Sequence, residues 1–273
     1  MSPPASGAWA GRISVEVIIQ PSATEAALLA ARIIADLVRR KPHAVLGLAT
    51  GATLVATYAE LVRMQQRDEL DFRRIITFNL DEFVGLDESH RCSLHRYMKD
   101  HLFDPIGLPR TQIHIPPALA SDVASACHEY EMSIAAAGGI DLQLLGIGRD
   151  GHIGFNEPTS SLASRTRIKT LAASTVSAQQ AVFGNDPVPR HAITMGIGTI
   201  RDARHCVLVA TGKHKADALA RTVEGPVTAM VPASALQLHP RTTVIVDEEA
   251  GASLALQDYY RRVLADKPNR QKS

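Results

Sequence analysis

The sequence predicts an α/β fold: an open, mostly parallel sheet covered by helices on both faces. Short apolar runs typical of buried strands alternate along the chain with longer amphipathic stretches typical of helices. The 273 residues are enough to bury a full core. Hydrophobic residues make up 45% of the chain and charged residues 21%, which is ordinary for a globular protein.

The elements follow in a regular order after a terminal tail. Residues 1–12 are rich in Pro, Ser, Gly and Ala, so we expect a flexible tail, with residues 13–266 forming a single α/β domain. A short strand at 14–19 precedes a helix at 23–40, which Ser22 and Thr24 can cap. Further strands are expected at 44–48, 75–80, 141–147, 205–210 and 243–246, and further helices at about 53–66, 122–137 and 213–224. The segment 158–190 has weak periodicity and is expected to form a lid.

Composition limits the partners and the location of the protein. The formal net charge of +1 gives no reason to expect a nucleic-acid surface. No apolar stretch approaches 18 residues and no secretory signal is present, so we expect neither a membrane span nor export. The three cysteines are odd in number and lack CxxC spacing, which favours reduced thiols and a cytoplasmic protein.

The first polar strand end follows the strand at 44–48. Thr50, Gly51, Ala52 and Thr53 form a small-residue turn that opens a helix. Backbone N–H groups at a helix start, together with two hydroxyl groups, suit a phosphate. An ordinary capping turn explains the same residues equally well, since neither GxxxxGK[ST] nor GxGxxG is present.

The second polar strand end is Asp81, directly after the strand at 75–80. Ligands of open parallel sheets bind outside the carboxyl ends of the strands. A partly desolvated carboxylate at this edge could act as a base. A role in capping a helix or bracing the loop is an equal alternative.

The loop at 146–158, after the strand at 141–147, is the most informative segment. It carries Asp150, His152 and Glu157 within eight residues, and its glycines and Pro158 prevent a helix. An imidazole group can pass protons in either direction near neutral pH, and a neighbouring carboxylate can orient it. The same three groups are plausible metal ligands, but no second histidine stands at ligand spacing, so we expect no metal.

Basic residues follow two further segments. Lys213 and Lys215 follow the strand at 205–210, where one of them could reach an anion at the sheet edge; Lys213 is the better candidate for a solvated side chain. A basic patch follows the acidic loop and consists of Arg165, Arg167 and Lys169. We expect an anion or a carboxylate to neutralise its positive charge.

Together these motifs resemble the glucosamine-6-phosphate deaminase/isomerase family. The matching segments, in the order of the family, are 46–53, 77–86, 148–158, 160–171 and 236–240. The motif Asp-Gly-His-Ile-x-Phe-Asn-Glu-Pro is specific, because the related 6-phosphogluconolactonases share only Asp-Gly-His. The resemblance covers about residues 13–262 and implies a Rossmann-like fold of the NagB type.

The resemblance also implies a reaction without cofactor or metal: glucosamine 6-phosphate and water give fructose 6-phosphate and ammonia. In the family, the position of His152 opens the sugar ring with support from those of Asp150 and Glu157, and the position of Asp81 removes the C2 proton. The residues that match the phosphate site are Thr50, Gly51, Ala52, Thr53 and Lys215.

Some family members are hexamers activated by N-acetylglucosamine 6-phosphate. The residues that match this effector site are Ser160, Arg167, Lys169 and Thr170. The aromatic residue that completes the site falls near Arg261, so activation stays open, and we expect a homo-oligomer.

Two departures from the family pattern concern phosphate binding. The lid usually carries Arg-Phe-Phe, whereas this chain has Ala181-Val-Phe183. Losing that charge-assisted contact would cost about 1.5–3 kcal/mol of binding free energy. Ala52 replaces a glycine, which requires a negative φ at this position.

Three alternative functions therefore stay open. The first is a related sugar-phosphate enzyme, either an isomerase/deaminase acting on galactosamine 6-phosphate or a 6-phosphogluconolactonase-like hydrolase. The second is a sugar-phosphate-binding regulator without turnover. The third is a metal-dependent enzyme.

Overall fold

In a computed structural model, which describes residues 15–68 and 70–266, ten strands form two sheets. The strands are β1 (Val15–Gln20), β2 (Val45–Leu48), β3 (Ile76–Asn79), β4 (Asp81–Phe83), β5 (Ile113–His114), β6 (Leu142–Leu145), β7 (Arg167–Thr170), β8 (His191–Thr194), β9 (Cys206–Ala210) and β10 (Thr242–Asp247). Seven of them pair in parallel in the order β1-β10-β9-β6-β2-β3-β5. The predicted open, parallel α/β sheet is thereby confirmed.

The helices among the described residues are α1 (Ala23–Arg40), α2 (Ala52–Asp68), α3 (Leu94–Met98), α4 (Asp104–Ile106), α5 (Val123–Ala136), α6 (Ala173–Phe183), α7 (Ile197–Arg201), α8 (Ala216–Val223) and α9 (Gln257–Ala265). A π-helical turn spans Lys99–Phe103, and 3₁₀ turns span Arg110–Gln112, Lys213–Lys215 and Pro232–Leu238. None of the described helices is long and apolar enough to cross a bilayer. The predicted tail at 1–12 lies outside the described residues.

Local chemistry explains why the regular elements lie close to their predicted bounds. Helix α1 begins after Ser22, whose hydroxyl oxygen accepts a hydrogen bond from the N–H of Glu25, and it buries an Ala-rich face that includes Ile34 and Val38. Strands β6 and β9 are buried along their whole length, as expected for a parallel sheet covered on both faces. Cys92, Cys127 and Cys206 are buried and free.

The strand order places a topological switch point between β2 and β6. From β2 the chain proceeds to β3 and β5 on one side, and from β6 it proceeds to β9 and β10 on the other. Such a reversal opens a crevice at the carboxyl ends of the two central strands. The 50–53 turn follows β2 and the 146–158 loop follows β6, so both border this crevice.

A second sheet of three antiparallel strands has the order β4-β8-β7. Asp81 follows the end of β3 closely, as predicted, and is the first residue of β4, where it pairs with Thr194 of β8. The segment 158–190, which the sequence predicts to form a lid, contains β7 and α6. The predicted helix at 213–224 also divides into a 3₁₀ turn and α8.

Candidate active site

The 50–53 turn joins β2 to the start of α2. Gly51 has φ +129°, a conformation that glycine adopts readily, and its carbonyl oxygen accepts a hydrogen bond of 2.8 Å from the hydroxyl group of Tyr97. Ala52 is the first residue of α2 and does not have a positive φ, so its Cβ is accommodated. Thr50 and Thr53 are half-buried at the same turn. The turn therefore offers the N–H groups of a helix start and two hydroxyl groups to an anion.

Asp81 is buried where the chain passes from β3 of the large sheet to β4 of the small sheet, with 6% of its surface exposed. Its Oδ2 adjoins the 146–158 loop: a Cβ added to Gly154 would lie 3.3 Å from it. Burial and, to a smaller extent, the carboxylate of Glu82 together raise the pKa of Asp81 to about 7, against an opposing effect of His152. Asp81 is thus a carboxyl group that can gain and lose a proton close to neutral pH.

Glu82, next to Asp81, is a buried carboxylate that the sequence did not single out. Its Oε1 accepts hydrogen bonds from the N–H groups of Phe83 (2.8 Å) and Leu94 (3.0 Å). Its Oε2 accepts from the Ser93 hydroxyl and the His95 N–H, both at 2.8 Å. The start of α3 thus supplies three of the four donors to Glu82. Nothing in the local pattern beyond the pair Asp81-Glu82 could have indicated this.

Two glycines bring His152 back onto the end of β6. The N–H of Gly148 donates to the carbonyl of His152 at 2.9 Å, and the N–H of Gly151, at φ +88°, donates to the carbonyl of Gly148 at 3.1 Å. The imidazole ring packs directly on Gly148, since a Cβ there would lie 2.1–2.4 Å from its ring atoms. The ring position therefore depends on the absence of a side chain at residue 148.

His152 lies between the two predicted carboxylates. Its Nδ1 is 2.6 Å from Oδ1 of Asp150 and 3.7 Å from Oε2 of Glu157. The contact with Asp150 is short enough for an ion pair, although Nδ1 makes no hydrogen bond of good angular geometry with any described residue. Asp150 also accepts the backbone N–H of His152 at 3.1 Å. Its interaction with His152 lowers the pKa of Asp150 despite partial burial.

The same three side chains could also hold a cation. One ligand atom from each of Asp150, His152 and Glu157 lies within 4.8 Å of the others. Two carboxylate oxygens and an imidazole nitrogen fit several divalent metals. The geometry is compatible with both a proton-transfer group and a metal site. The effect of a metal chelator on activity distinguishes the two.

Lys215 contributes a cation at the same edge of the sheet. Its Nζ donates a hydrogen bond of 2.6 Å to the carbonyl of Ile147, in the 146–158 loop. Burial and the nearby charge of Arg149 lower the pKa of Lys215, while Asp150 opposes this. Lys213, by contrast, is exposed, in agreement with its predicted solvation.

The predicted basic patch and effector residues lie on or near β7, away from the 50–53 turn in sequence. Within the patch, Arg165 forms ion pairs with the carboxylates of Glu131 at 2.8 Å and Asp202 at 2.5 Å. Arg167 donates to the side-chain oxygen of Asn156 at 2.9 Å. Ser160 is buried, and its hydroxyl has no hydrogen-bond partner among the described residues. Lys169 and Thr170 lie on β7. Ala181, at the position of the family's lid arginine, is exposed on α6, and Arg190 is exposed just before β8.

Comparison with known proteins gives consistent matches over most of the chain. A family model described as glucosamine-6-phosphate isomerases/6-phosphogluconolactonase matches residues 20–245. A glucosamine-6-phosphate deaminase of Arthrobacter sp. (strain FB24) is 51% identical over 255 residues, covering 93% of this chain and 98% of its own. A protein of the same name from Streptomyces avermitilis is 51% identical over 259 residues, covering 94% and 99%.

Solved structures agree with this fold. A monomeric glucosamine-6-phosphate deaminase of the NagB superfamily is 44% identical, with a TM-score of 0.85 and coverage of 87% of this chain and 99% of its own. The 6-phosphogluconolactonase of Trypanosoma brucei is 18% identical, with a TM-score of 0.70 and coverage of 88% and 98%, so it shares the fold alone.

Proposed function

The chain belongs to the family of glucosamine-6-phosphate isomerases and 6-phosphogluconolactonases, and we propose that within this family it is a glucosamine-6-phosphate deaminase. One observation carries the proposal: a buried carboxyl group with a pKa of about 7, Asp81, adjoins the loop that holds His152 between Asp150 and Glu157. Such a site has two separate proton-transfer groups beside an anion-binding turn. An aldose-to-ketose conversion of a phosphorylated amino sugar requires that combination.

In the proposed reaction, His152 first opens the pyranose ring. It removes the proton of the anomeric hydroxyl group and delivers a proton to the ring oxygen, so the ring C–O bond breaks and a C1 aldehyde forms. Asp150 and Glu157 stabilise the imidazolium ion that exists between the two transfers. The substrate becomes an open-chain amino aldehyde.

Asp81 then acts as the base. Its carboxylate removes the C2 proton while a proton passes from the substrate ammonium group to the C1 oxygen, which gives an enolamine. The protonated Asp81 then returns its proton to C1, which gives a 2-iminium ion and regenerates the carboxylate. Water adds to the imine carbon and ammonia leaves, so the products are fructose 6-phosphate and ammonia. The phosphate would bind at Thr50, Gly51, Ala52, Thr53 and Lys215, which fixes C1 and C2 against the two groups.

A panel of sugar phosphates tests this function. The purified protein is incubated with glucosamine 6-phosphate, galactosamine 6-phosphate and 6-phosphogluconolactone, and ammonia release and lactone hydrolysis are followed. We expect ammonia from glucosamine 6-phosphate. Lactone hydrolysis without ammonia would assign the protein to the other branch of the family, and thermal stabilisation by a sugar phosphate without turnover would make it a regulator. If EDTA abolishes the activity and a divalent metal restores it, the protein is a metal-dependent enzyme.

Regulation, assembly and location are further parts of the proposal. Ser160, Arg167, Lys169 and Thr170 would form an effector site for N-acetylglucosamine 6-phosphate, supported by the buried hydroxyl group of Ser160, which has no hydrogen-bond partner within residues 15–68 and 70–266. We propose a cytoplasmic enzyme, with free thiols in support, whose single domain uses the 158–190 segment as a lid. Light scattering, and saturation curves with and without the effector, test whether the protein is a homo-oligomer and whether it is activated.

A further inference from the structure

The two carboxylate oxygens of Glu157 have different surroundings. Oε1 accepts a hydrogen bond of 2.5 Å from the hydroxyl group of Thr175 and a long one of 3.4 Å from the N–H of Ala172. Oε2 faces His152 Nδ1 at 3.7 Å and has no hydrogen-bond partner among the described residues. One oxygen is therefore held by protein donors while the other is directed at the imidazole ring.

Both donors belong to the first turn of α6. Ala172 is the N-cap residue of this helix and has no side-chain oxygen with which to cap it, and the first turn of α6 carries no acidic residue. Glu157, which lies outside the helix, supplies both the acceptor oxygen and the negative charge that a helix start favours. The carboxylate and the helix start thus stabilise each other.

The far end of α6 is anchored against β4, the strand that begins with Asp81. Phe183, the last residue of α6, is buried against Phe83 of β4, with ring centroids 5.3 Å apart. Arg91 holds the same end through Asp186 at 2.9 Å. Because both ends of the helix are fixed, its first turn presents Thr175 to Glu157 in a defined position.

We propose that Thr175 is a positioning residue for ring opening, whose hydroxyl group holds one oxygen of Glu157 so that the other faces His152. This inference rests on the proposed function. Thr175 does not touch the reacting atoms; it acts through Glu157. A hydroxyl donor 2.5 Å from a buried carboxylate is a strong, charge-assisted contact, and its loss leaves the carboxylate free to rotate away from the ring.

Two substitutions and a neighbouring control test the role. Thr175→Val keeps the shape and removes the hydroxyl group, Thr175→Ser keeps the hydroxyl group, and Ser174→Val alters an exposed residue of the same helical turn. We expect Thr175→Val to lower kcat for ammonia release about tenfold or more, with little change in KM, which is the scale of a lost hydrogen bond to a charged group. Thr175→Ser and Ser174→Val should stay close to wild type.

The deuterium isotope effect on kcat distinguishes a specific role of Thr175 in positioning Glu157 from a general structural disturbance of the site. With substrate deuterated at C2, slower ring opening masks the C2 step, so the isotope effect on kcat should fall towards one in Thr175→Val. A general structural effect would slow the two steps alike and leave the isotope effect unchanged. In a Glu157→Gln background, Thr175→Val should cost nothing further, because the two residues act as one unit. If Thr175→Val does not fold, the same measurements are made with Thr175→Ala.

The outcomes distinguish this inference from the proposed function. Wild-type protein that releases no ammonia refutes the proposed function, and the inference falls with it. Active wild-type protein whose Thr175→Val variant matches Ser174→Val, or whose Thr175→Ser variant is as slow as Thr175→Val, refutes the inference alone.

Discussion

Burial and the carboxylate of Glu82, next to it on β4, together raise the pKa of Asp81 to about 7. The two residues differ in their surroundings: four donors bind Glu82, whereas Asp81 adjoins the loop that carries His152. A carboxylate held in place by its own donors therefore makes its neighbour a stronger base. This arrangement is what a C2 deprotonation near neutral pH requires.

The first prediction concerns the pH dependence of kcat/KM. The proposed base is active when Asp81 is deprotonated, so kcat/KM for glucosamine 6-phosphate should fall as the pH decreases below about 7. Glu82→Gln removes the neighbouring negative charge and should move this acid limb to lower pH. A pH–rate profile of both proteins checks the shift. An acid limb that stays in place would mean that Glu82 does not tune the base.

The raised pKa of Asp81 also predicts a pH-dependent cost in stability. Between about 3.8 and about 7 the folded protein keeps a proton on Asp81 that the unfolded chain releases, so this residue lowers the free energy of unfolding as the pH rises through that window. Asp81→Asn removes the cost. Its Tm should exceed that of the wild type at pH 8, and the difference should shrink towards pH 4. Equal Tm values at pH 8 would contradict a raised pKa.

A third prediction concerns the packing of His152 on Gly148. Gly148→Ala places a Cβ within 2.1–2.4 Å of the ring atoms, so the imidazole must move away from Asp150 and Glu157. We expect turnover to fall by at least about a hundredfold, the lower range for losing a general acid–base group. Gly146→Ala is the matched control, because nothing lies within 4 Å of its added Cβ. Similar losses in both variants would point to disruption of the whole loop.

The fourth prediction concerns the proposed phosphate site. Lys215→Met removes a cation from the edge of the sheet and should raise KM about tenfold or more, the scale of a lost charge-assisted contact. Since the phosphate does not react, kcat should change less than KM. Lys213→Met, at the exposed lysine of the same 3₁₀ turn, should leave KM near the wild-type value. An unchanged KM in Lys215→Met would remove this lysine from the site.

The sequence predicted the parts of the molecule whose structure depends on local signals. Helix α1 was predicted within its observed bounds because Ser22 caps it and its apolar residues recur at helical spacing. Six of the seven strands of the large sheet lie within one or two residues of their predicted bounds, since they are largely apolar runs; the two-residue strand β5 was not predicted. Strand ends in a parallel sheet meet at one edge, which is why Asp81 and the 50–53 and 146–158 segments could be assigned to a common site.

The small sheet and the contacts around Glu157 could not be predicted in this way. Strand β4 has only three residues, and its partner β8 lies more than a hundred residues further along the chain, so the pairing is set by tertiary packing. Thr175 lies in a Ser- and Ala-rich stretch without clear periodicity, where no local signal distinguishes it from Ser174. The hydrogen bonds that the start of α3 donates to the carboxylate of Glu82 likewise depend on tertiary packing, which sets the position of α3.

The most direct test of the account is ammonia release from glucosamine 6-phosphate by the wild type and by Asp81→Asn, with substrate binding to both measured by calorimetry. We predict that the wild type releases ammonia and that Asp81→Asn binds the sugar phosphate but turns over at least about a hundredfold more slowly, because a general base is lost while the 50–53 turn and Lys215 are unchanged. Near-normal turnover by Asp81→Asn, or no ammonia from a wild type that binds the substrate, would contradict the account.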